Sequence, residues 1–179
     1  NGKILALVGG RNYAKSQYNR ATDSKRQVGS TIKPFLYYAA LENGFTSSTT
    51  FTSEKTTFTF SYDKTYSPKN YGDIYAQKPI TMAAAIAYSD NIYAVKTHLF
   101  LGEDTLVNLT SRIGINDKLE PIPSLALGSQ EINLVDMTEA YSTFANEGYK
   151  VDGYFIEKVT DLELSLIHIS EPTRHLRIS

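Results

Sequence analysis

The sequence has no cysteine and no tryptophan, and only three histidines, His98, His168 and His175. Without cysteine there is no disulfide, no thiol nucleophile and no Cys-based metal centre. No two histidines stand four residues apart, so a zinc-type pair on one helix face is excluded as well. An excess of one charge is also lacking. The 18 Lys and Arg against 19 Asp and Glu leave a formal net charge of −1, which offers no footprint for nucleic acid or for a polybasic contact with a membrane. Long apolar runs are missing too: "ILALV" and "MAAAIAY" fall far short of the roughly 20 residues a spanning helix needs.

What is present suits a folded domain. With 179 residues and 41% of them hydrophobic, the chain can bury a core and is too apolar to stay disordered. Residues 3–10, "KILALVGG", read as a buried strand closed by a tight turn. Residues 31–44, "TIKPFLYYAALENG", have helical character and end on Gly44, a good residue just past a helix. The Thr-, Ser- and aromatic-rich stretch 45–73 reads as irregular extended chain or a small ribbon. Two helices, 78–88 and 92–102, flank a polar elbow, "SDN". A further helix covers 103–115, and 119–130 form a Pro- and Gly-punctuated loop. In 133–149, Asn133 is expected as N-cap with Asp136 closing an Asp version of a capping box. Leu134, Met137, Tyr141 and Phe144 would then line a core face, and 154–163 read as a strand. The chain begins with Asn inside a strand-like run, and is expected to be a piece of a longer protein.

The candidate chemistry lies in "RQVGSTIKPF". A serine hydroxyl is a weak nucleophile until a base takes its proton. Lys33, three residues after Ser30, shares its helix face and serves as that base if burial or a helix N-terminus destabilises its ammonium. Pro34 is tolerated only in a first helical turn, which places Ser30 at a helix start, where backbone N–H groups can bind an oxyanion. Gly29 leaves room for a substrate to approach the backbone. Taken alone, Ser-x-x-Lys is more often a solvated helix start, and Ser89-Asp90-Asn91 alone is ordinary turn chemistry. The two together, some sixty residues apart, form a two-part signature. In it, the Ser89 hydroxyl shuttles a proton, and the Asn91 amide bonds Lys33 and a substrate carbonyl. Buried or surface packing is the better reading of His98.

"ALVGGRNY", "YNRAT", "RQVGSTIKPFLYYAALENG", "SPKNY", "SDNIYAVK" and "LALGSQEINLVDMTEAYSTFANEGY" together resemble the transpeptidase domain of class A penicillin-binding proteins, most of all the bifunctional enzymes of Bacillus-like Firmicutes. The resemblance covers residues 1–163. It implies an α/β (α+β) fold of the serine β-lactamase and D,D-transpeptidase kind, here mainly the helical subdomain with part of an antiparallel sheet. It further implies Ser30 as the acylated nucleophile, Lys33 as general base, Ser89 and Asn91 as the second catalytic motif, and Gly29 and Asp90 as substrate-binding residues. The expected substrates are D-Ala-D-Ala stem peptides of peptidoglycan, with β-lactams as covalent mimics, and with no cofactor, metal or nucleic acid. The longer protein is expected on the outer face of the cytoplasmic membrane, anchored there and preceded by a glycosyltransferase domain. The family's third motif, Lys-Thr-Gly, occurs nowhere in the sequence. Two alternatives share the first motifs: a β-lactam sensor domain, and a class A β-lactamase. The latter needs Glu-x-x-Leu-Asn, which the residues after Glu120 do not supply. Residues 164–179, "LSLIHISEPTRHLRIS", resemble the translation of a transposon-type sequencing adapter and are expected to be a non-native tail.

Overall fold

A computed structural model describes residues 2–60, 64–160 and 166–169, the last four by their backbone. In chain order its first elements are β1 (Lys25–Gln27), α1 (Lys33–Glu42), β2 (Thr50–Ser53), β3 (Phe58–Thr59), β4 (Thr65–Tyr66), β5 (Lys78–Thr81) and α2 (Met82–Tyr88). There follow α3 (Asn91–Leu101), α4 (Glu103–Arg112), β6 (Glu131–Asn133), α5 (Leu134–Ala145), β7 (Lys158–Thr160) and β8 (Leu166–Ile169). The chain divides into two compact units.

One unit comprises Gln27–Leu109 and Lys118–Glu131. Its core is the pair α1 and α3, apolar on most faces, so each helix is enclosed rather than laid on a surface. Phe35, Leu36, Ala39 and Ala40 of α1 meet Ile92, Tyr93, Ala94 and Val95 of α3 in this core, all of them buried. Burying four to five large side chains stabilises the unit by about 2 kcal/mol each. The helix α1 ends as its Gly44 predicts. Gly44 has φ +87°, its N–H reaches the Leu41 carbonyl, and that of Phe45 reaches Ala40, the paired bonds of a Schellman motif. The polar stretch after it folds into short antiparallel ribbons. In one, β2 pairs with β5, with Phe51 opposite Ile80; in the other, β3 pairs with β4, with Phe58 opposite Tyr66. Phe51 then meets Tyr93 of α3 edge-on, ring centres 5.2 Å apart, and seats the first ribbon on the helices.

A 3-10 turn, Pro123–Leu127, packs against α3. Its Ile122 flank accepts a hydrogen bond from Nε2 of the fully buried His98 at 3.1 Å, which settles His98 as a packing residue. The turn ends on Gly128, φ +66°, whose carbonyl accepts the Gly29 N–H at 3.0 Å. The two residues touch so closely that a Cβ on residue 128 would overlap the Gly29 carbonyl oxygen. This contact supports the 3-10 turn Gly29–Ile32 that leads into α1.

The other unit comprises Asn1–Arg26, Thr110–Asp117 and Ile132–Ser179. Here the structure corrects three expectations. Residues 3–10 do not form a buried strand: Leu5 and Val8 are exposed, and pairing is limited to a single parallel bridge, Lys3 with Tyr154. An apolar run becomes a strand only where a neighbour takes its backbone bonds; here the Ile4 N–H goes to the Tyr154 carbonyl and the Gly9 carbonyl accepts the Arg20 N–H, two isolated bonds rather than a ladder. Asn133 does cap α5, accepting the Val135 N–H at 2.8 Å, but Asp136 does not close a capping box. Asp136 accepts the Asn116 N–H, while the Asn133 N–H goes to Asp117. On α5 the buried face is Met137, Ala140 and Thr143. Leu134, Tyr141 and Phe144 lie on its flank and stay partly exposed, the two rings stacked edge-on against each other. At the far end, β7 and β8 pair antiparallel, with Val159 opposite His168. Of the segment expected to be non-native, only these four residues of β8 are described; 164–165 and 170–179 lie outside the described residues.

The close glycine pair gives a direct test. Gly128→Ala places a methyl group against the Gly29 backbone at a left-handed φ, and should cost about 2–4 kcal/mol of stability. Gly44→Ala, whose new Cβ meets nothing within 4 Å, should cost only the roughly 1–2 kcal/mol of the left-handed backbone. Denaturant unfolding of the two variants checks the order.

Candidate active site

The site is built on Lys33, the first residue of α1. Its side chain is buried, with 3% of the residue exposed. The ammonium donates to the Ser89 carbonyl at 2.7 Å, to Ser89 Oγ at 3.0 Å and to Asn91 Oδ1 at 2.6 Å. All three of its protons are thus placed on the elbow between α2 and α3. Burial pushes its pKa down from 10.5 to about 8, against a smaller upward pull from the Asp90 carboxylate. At pH 7 about one molecule in ten then carries the neutral amine.

The elbow is held in a special shape. Thr81 caps α2 by accepting the Ala84 N–H at 3.2 Å. Ser89 ends the helix in the left-handed region, φ +52°, which is uncommon for a residue with a Cβ. The chain then turns extended at Asp90, and α3 starts at Asn91. This shape turns the Ser89 carbonyl, the Ser89 hydroxyl and the Asn91 side chain toward one amine.

Asp90, expected as a substrate-binding residue, carries a dense set of hydrogen bonds of its own. Its carboxylate faces the interior, with only 6% of the residue exposed. Oδ1 accepts the Tyr93 N–H at 2.7 Å as the N-cap of α3, and Oδ2 accepts from Ser53 Oγ at 2.5 Å and Asn70 Nδ2 at 2.7 Å. A buried carboxylate is tolerable only when its oxygens are supplied with donors, and these three supply them.

Ser30 occupies the second position of the 3-10 turn before α1, and is exposed. Its carbonyl accepts the Lys33 N–H. Among the described residues its hydroxyl has no hydrogen-bond partner, and Lys33 is not one, because the ammonium protons are already spent on Ser89 and Asn91. Gly29, φ +57°, has open space where a Cβ would point. Lys33, Ser89 and Asn91 therefore meet in direct contact, Ser30 and Gly29 stand on the adjoining turn, and Asp90 lies beneath.

Sequence reasoning missed four contributors. Asn70 and the Lys69 carbonyl both bond Asn91, Ser53 supports Asp90, and Gly128 braces Gly29. Gly128 carried a local signal, a glycine closing the "SLALG" turn, and Lys69 and Asn70 lie in "SPKNY", one of the stretches that carry the resemblance; neither pattern showed the contacts made. Among the described residues no group of three His, Asp or Glu is arranged to hold a metal.

Three comparisons bear on this arrangement. The family described as penicillin binding protein transpeptidase domain matches residues 1–178. Penicillin-binding protein 2D of Bacillus subtilis (strain 168) is 48% identical over 178 residues, 99% of this chain and 26% of that protein. Penicillin-binding protein 1A of Pseudomonas aeruginosa is 36% identical over 97% of this chain and 21% of that protein. The chain spans about a quarter of the length of such relatives. The crystal structure of penicillin-binding protein 1A from Haemophilus influenzae superposes with a TM-score of 0.84 at 36% identity, covering 92% of this chain and 25% of that one.

The depressed Lys33 pKa makes a stability prediction. Between pH 8 and about 10 the unfolded chain holds a proton on this lysine that the folded chain has lost, so unfolding free energy should rise with pH there. Above about pH 10 the trend should turn down, because burial raises the pKa of Tyr93 to about 12 and that of Tyr37 further still. Lys33→Met should remove the rise and leave the downturn. Equal slopes between pH 8 and 10 in both proteins would contradict the reading.

Proposed function

The chain belongs to the penicillin-binding protein transpeptidase family, and from that premise we propose that its residues serve a peptidoglycan D,D-transpeptidase, with Ser30 as nucleophile and Lys33 as the base that activates it. The observation that carries the proposal is the buried Lys33 amine, lowered to about 8 and aimed by Ser89 and Asn91 one helical turn from an exposed serine.

The neutral amine has a lone pair and one fewer proton to place. It takes the Ser30 proton as Oγ attacks the carbonyl carbon of the penultimate D-Ala of a stem peptide. The tetrahedral oxyanion is met by the Ser30 backbone N–H. The C–N bond to the terminal D-Ala then breaks, and the leaving amine receives a proton from the Lys33 ammonium. Ser89 Oγ, in contact with that ammonium and exposed on its other side, relays it. An amine of a second stem attacks the resulting ester, forms the cross-link amide and returns the proton to Ser30. A β-lactam enters the same first step, and its opened ring leaves a stable acyl-serine.

The second oxyanion donor belongs to a Lys-Thr-Gly strand in this family, and no such motif occurs in the 179 residues. We therefore assign the activity to the longer protein and little of it to these residues alone. That protein is placed, by the same reading, at the outer face of the cytoplasmic membrane with an anchor and a glycosyltransferase domain. Among the described residues of this chain no helix is long and apolar enough to cross a membrane. Residues 1–163 would supply part of the transpeptidase domain and 164–179 a non-native tail. A hydrolase reading has less support: Glu120 is exposed, and its backbone N–H and carbonyl are tied to the Gln130 side chain in a loop without the Leu-Asn pair.

In the full-length protein, fluorescent penicillin should label the wild type covalently and fail to label Ser30→Ala. Lys33→Ala should slow acylation by about 10²–10⁴-fold, the usual contribution of a general base. Undiminished labelling of Ser30→Ala would overturn the nucleophile.

A further inference from the structure

Asn91 makes two opposite contacts through one amide group. Its Oδ1 accepts from Lys33, and its Nδ2 donates to the Lys69 carbonyl at 2.6 Å. A half-turn of the amide would set an N–H₂ against an ammonium, so the side chain must be held one way round. Its backbone is held as well. Asn70 Oδ1 accepts the Asn91 N–H at 2.8 Å and, more weakly, that of Ile92 at 3.4 Å. These are two of the free donors at the start of α3, whose N-cap, Asp90, takes the next, Tyr93.

Asn70 is itself pinned. Its Nδ2 donates to Asp90 Oδ2 at 2.7 Å, to the Ile74 carbonyl at 3.0 Å and more distantly to Ser53 Oγ at 3.4 Å. The helix already has its own cap, so a second one arriving from twenty residues upstream is not needed to start α3. What the pair of neighbours 69 and 70 fixes together is the backbone and the side chain of one residue, Asn91.

We propose that Asn70, in the loop between β4 and β5, is a positioning residue that clamps Asn91 so that its carbonyl oxygen faces the Lys33 amine. The proposal rests on the reading of Lys33 as the base. Loss of the clamp lets Asn91 rotate or shift, and a misplacement of about 1 Å at such a site costs about 10²-fold in rate.

The test is a double-mutant cycle on the acylation rate of the full-length protein with fluorescent penicillin. The variants are Asn70→Ala, Asn91→Ala and the pair, with Lys33→Ala alongside. Asn70→Ala should slow acylation by about 10²-fold, and the pair should be no slower than Asn91→Ala alone, because Asn70 acts through Asn91. A wild-type rate in Asn70→Ala, or losses that multiply in the pair, would overturn the clamp while a slow Lys33→Ala keeps the base. An unimpaired Lys33→Ala would overturn the base, and the clamp with it.

Asn70→Asp serves if the alanine variant does not fold. It keeps the acceptor for the Asn91 N–H but sets a carboxylate against that of Asp90. The Nδ2 donor to Asp90 Oδ2 is lost, and two like charges in contact push the side chain off its position. The charged groups facing this spot are Asp90 and, beyond Asn91, Lys33; Lys69 is turned to the surface, 3.6 Å from Asp73. Asn70→Asp should slow acylation by about 10²-fold, as Asn70→Ala does. A wild-type acylation rate in Asn70→Asp would overturn the proposal.

Discussion

One constraint organises the site: an amine is kept out of water. Lys33 leads into the central helix, so its side chain enters the core rather than the solvent, and its ammonium must find acceptors inside. Ser89 and Asn91 are those acceptors. The left-handed turn at Ser89, the cap at Asp90 and the clamp from Asn70 all set where those acceptors stand. Each is costly by itself. A non-glycine residue in the left-handed region and a buried carboxylate are both destabilising unless surrounding groups compensate them. Here the compensation comes from Ser53, Asn70 and the Tyr93 N–H.

The apolar scaffold serves this constraint. The α1 and α3 pair gives the amine its dry surroundings, and the aromatic contact of Phe51 with Tyr93 holds the β2–β5 ribbon, with its Ser53, over the N-terminus of α3. Gly128, with no Cβ, lets the 123–127 turn press on the backbone of Gly29 beside the serine-bearing turn. Ser30 therefore sits on a braced turn but stays open to solvent, while the Lys33 amine is buried. That division, an exposed hydroxyl and a desolvated amine, is the arrangement the proposed acyl transfer calls for.

Parts of this were legible in the sequence, and the reason differs from part to part. The Ser30–Lys33 spacing with Pro34 marks a helix start, and Ser89 to Asn91 marks an elbow, because turn and cap chemistry is local. Asp90 was legible as a turn residue but its inward direction was not, since that depends on Ser53 and Asn70 from distant elements. Asn70 lies in "SPKNY", one of the stretches that carry the family resemblance, but its task was not legible there, since its partners Asp90 and Asn91 lie about twenty residues on. The apolar run at 3–10 misled because hydrophobicity marks a candidate strand without showing what pairs with it. On α5 the large residues drew attention to the wrong face, and the small ones, Ala140 and Thr143, are what the helix buries.

The central claim, that a desolvated Lys33 amine activates Ser30, is tested most directly by the pH profile of acylation. The second-order rate constant for fluorescent penicillin with the full-length protein would be measured from pH 6 to pH 10. If Lys33 is the base at its lowered pKa, the rate climbs tenfold per pH unit at first and levels off near pH 8. A rate that keeps climbing past pH 10, as for a solvated lysine, or one that does not change with pH, would contradict the account.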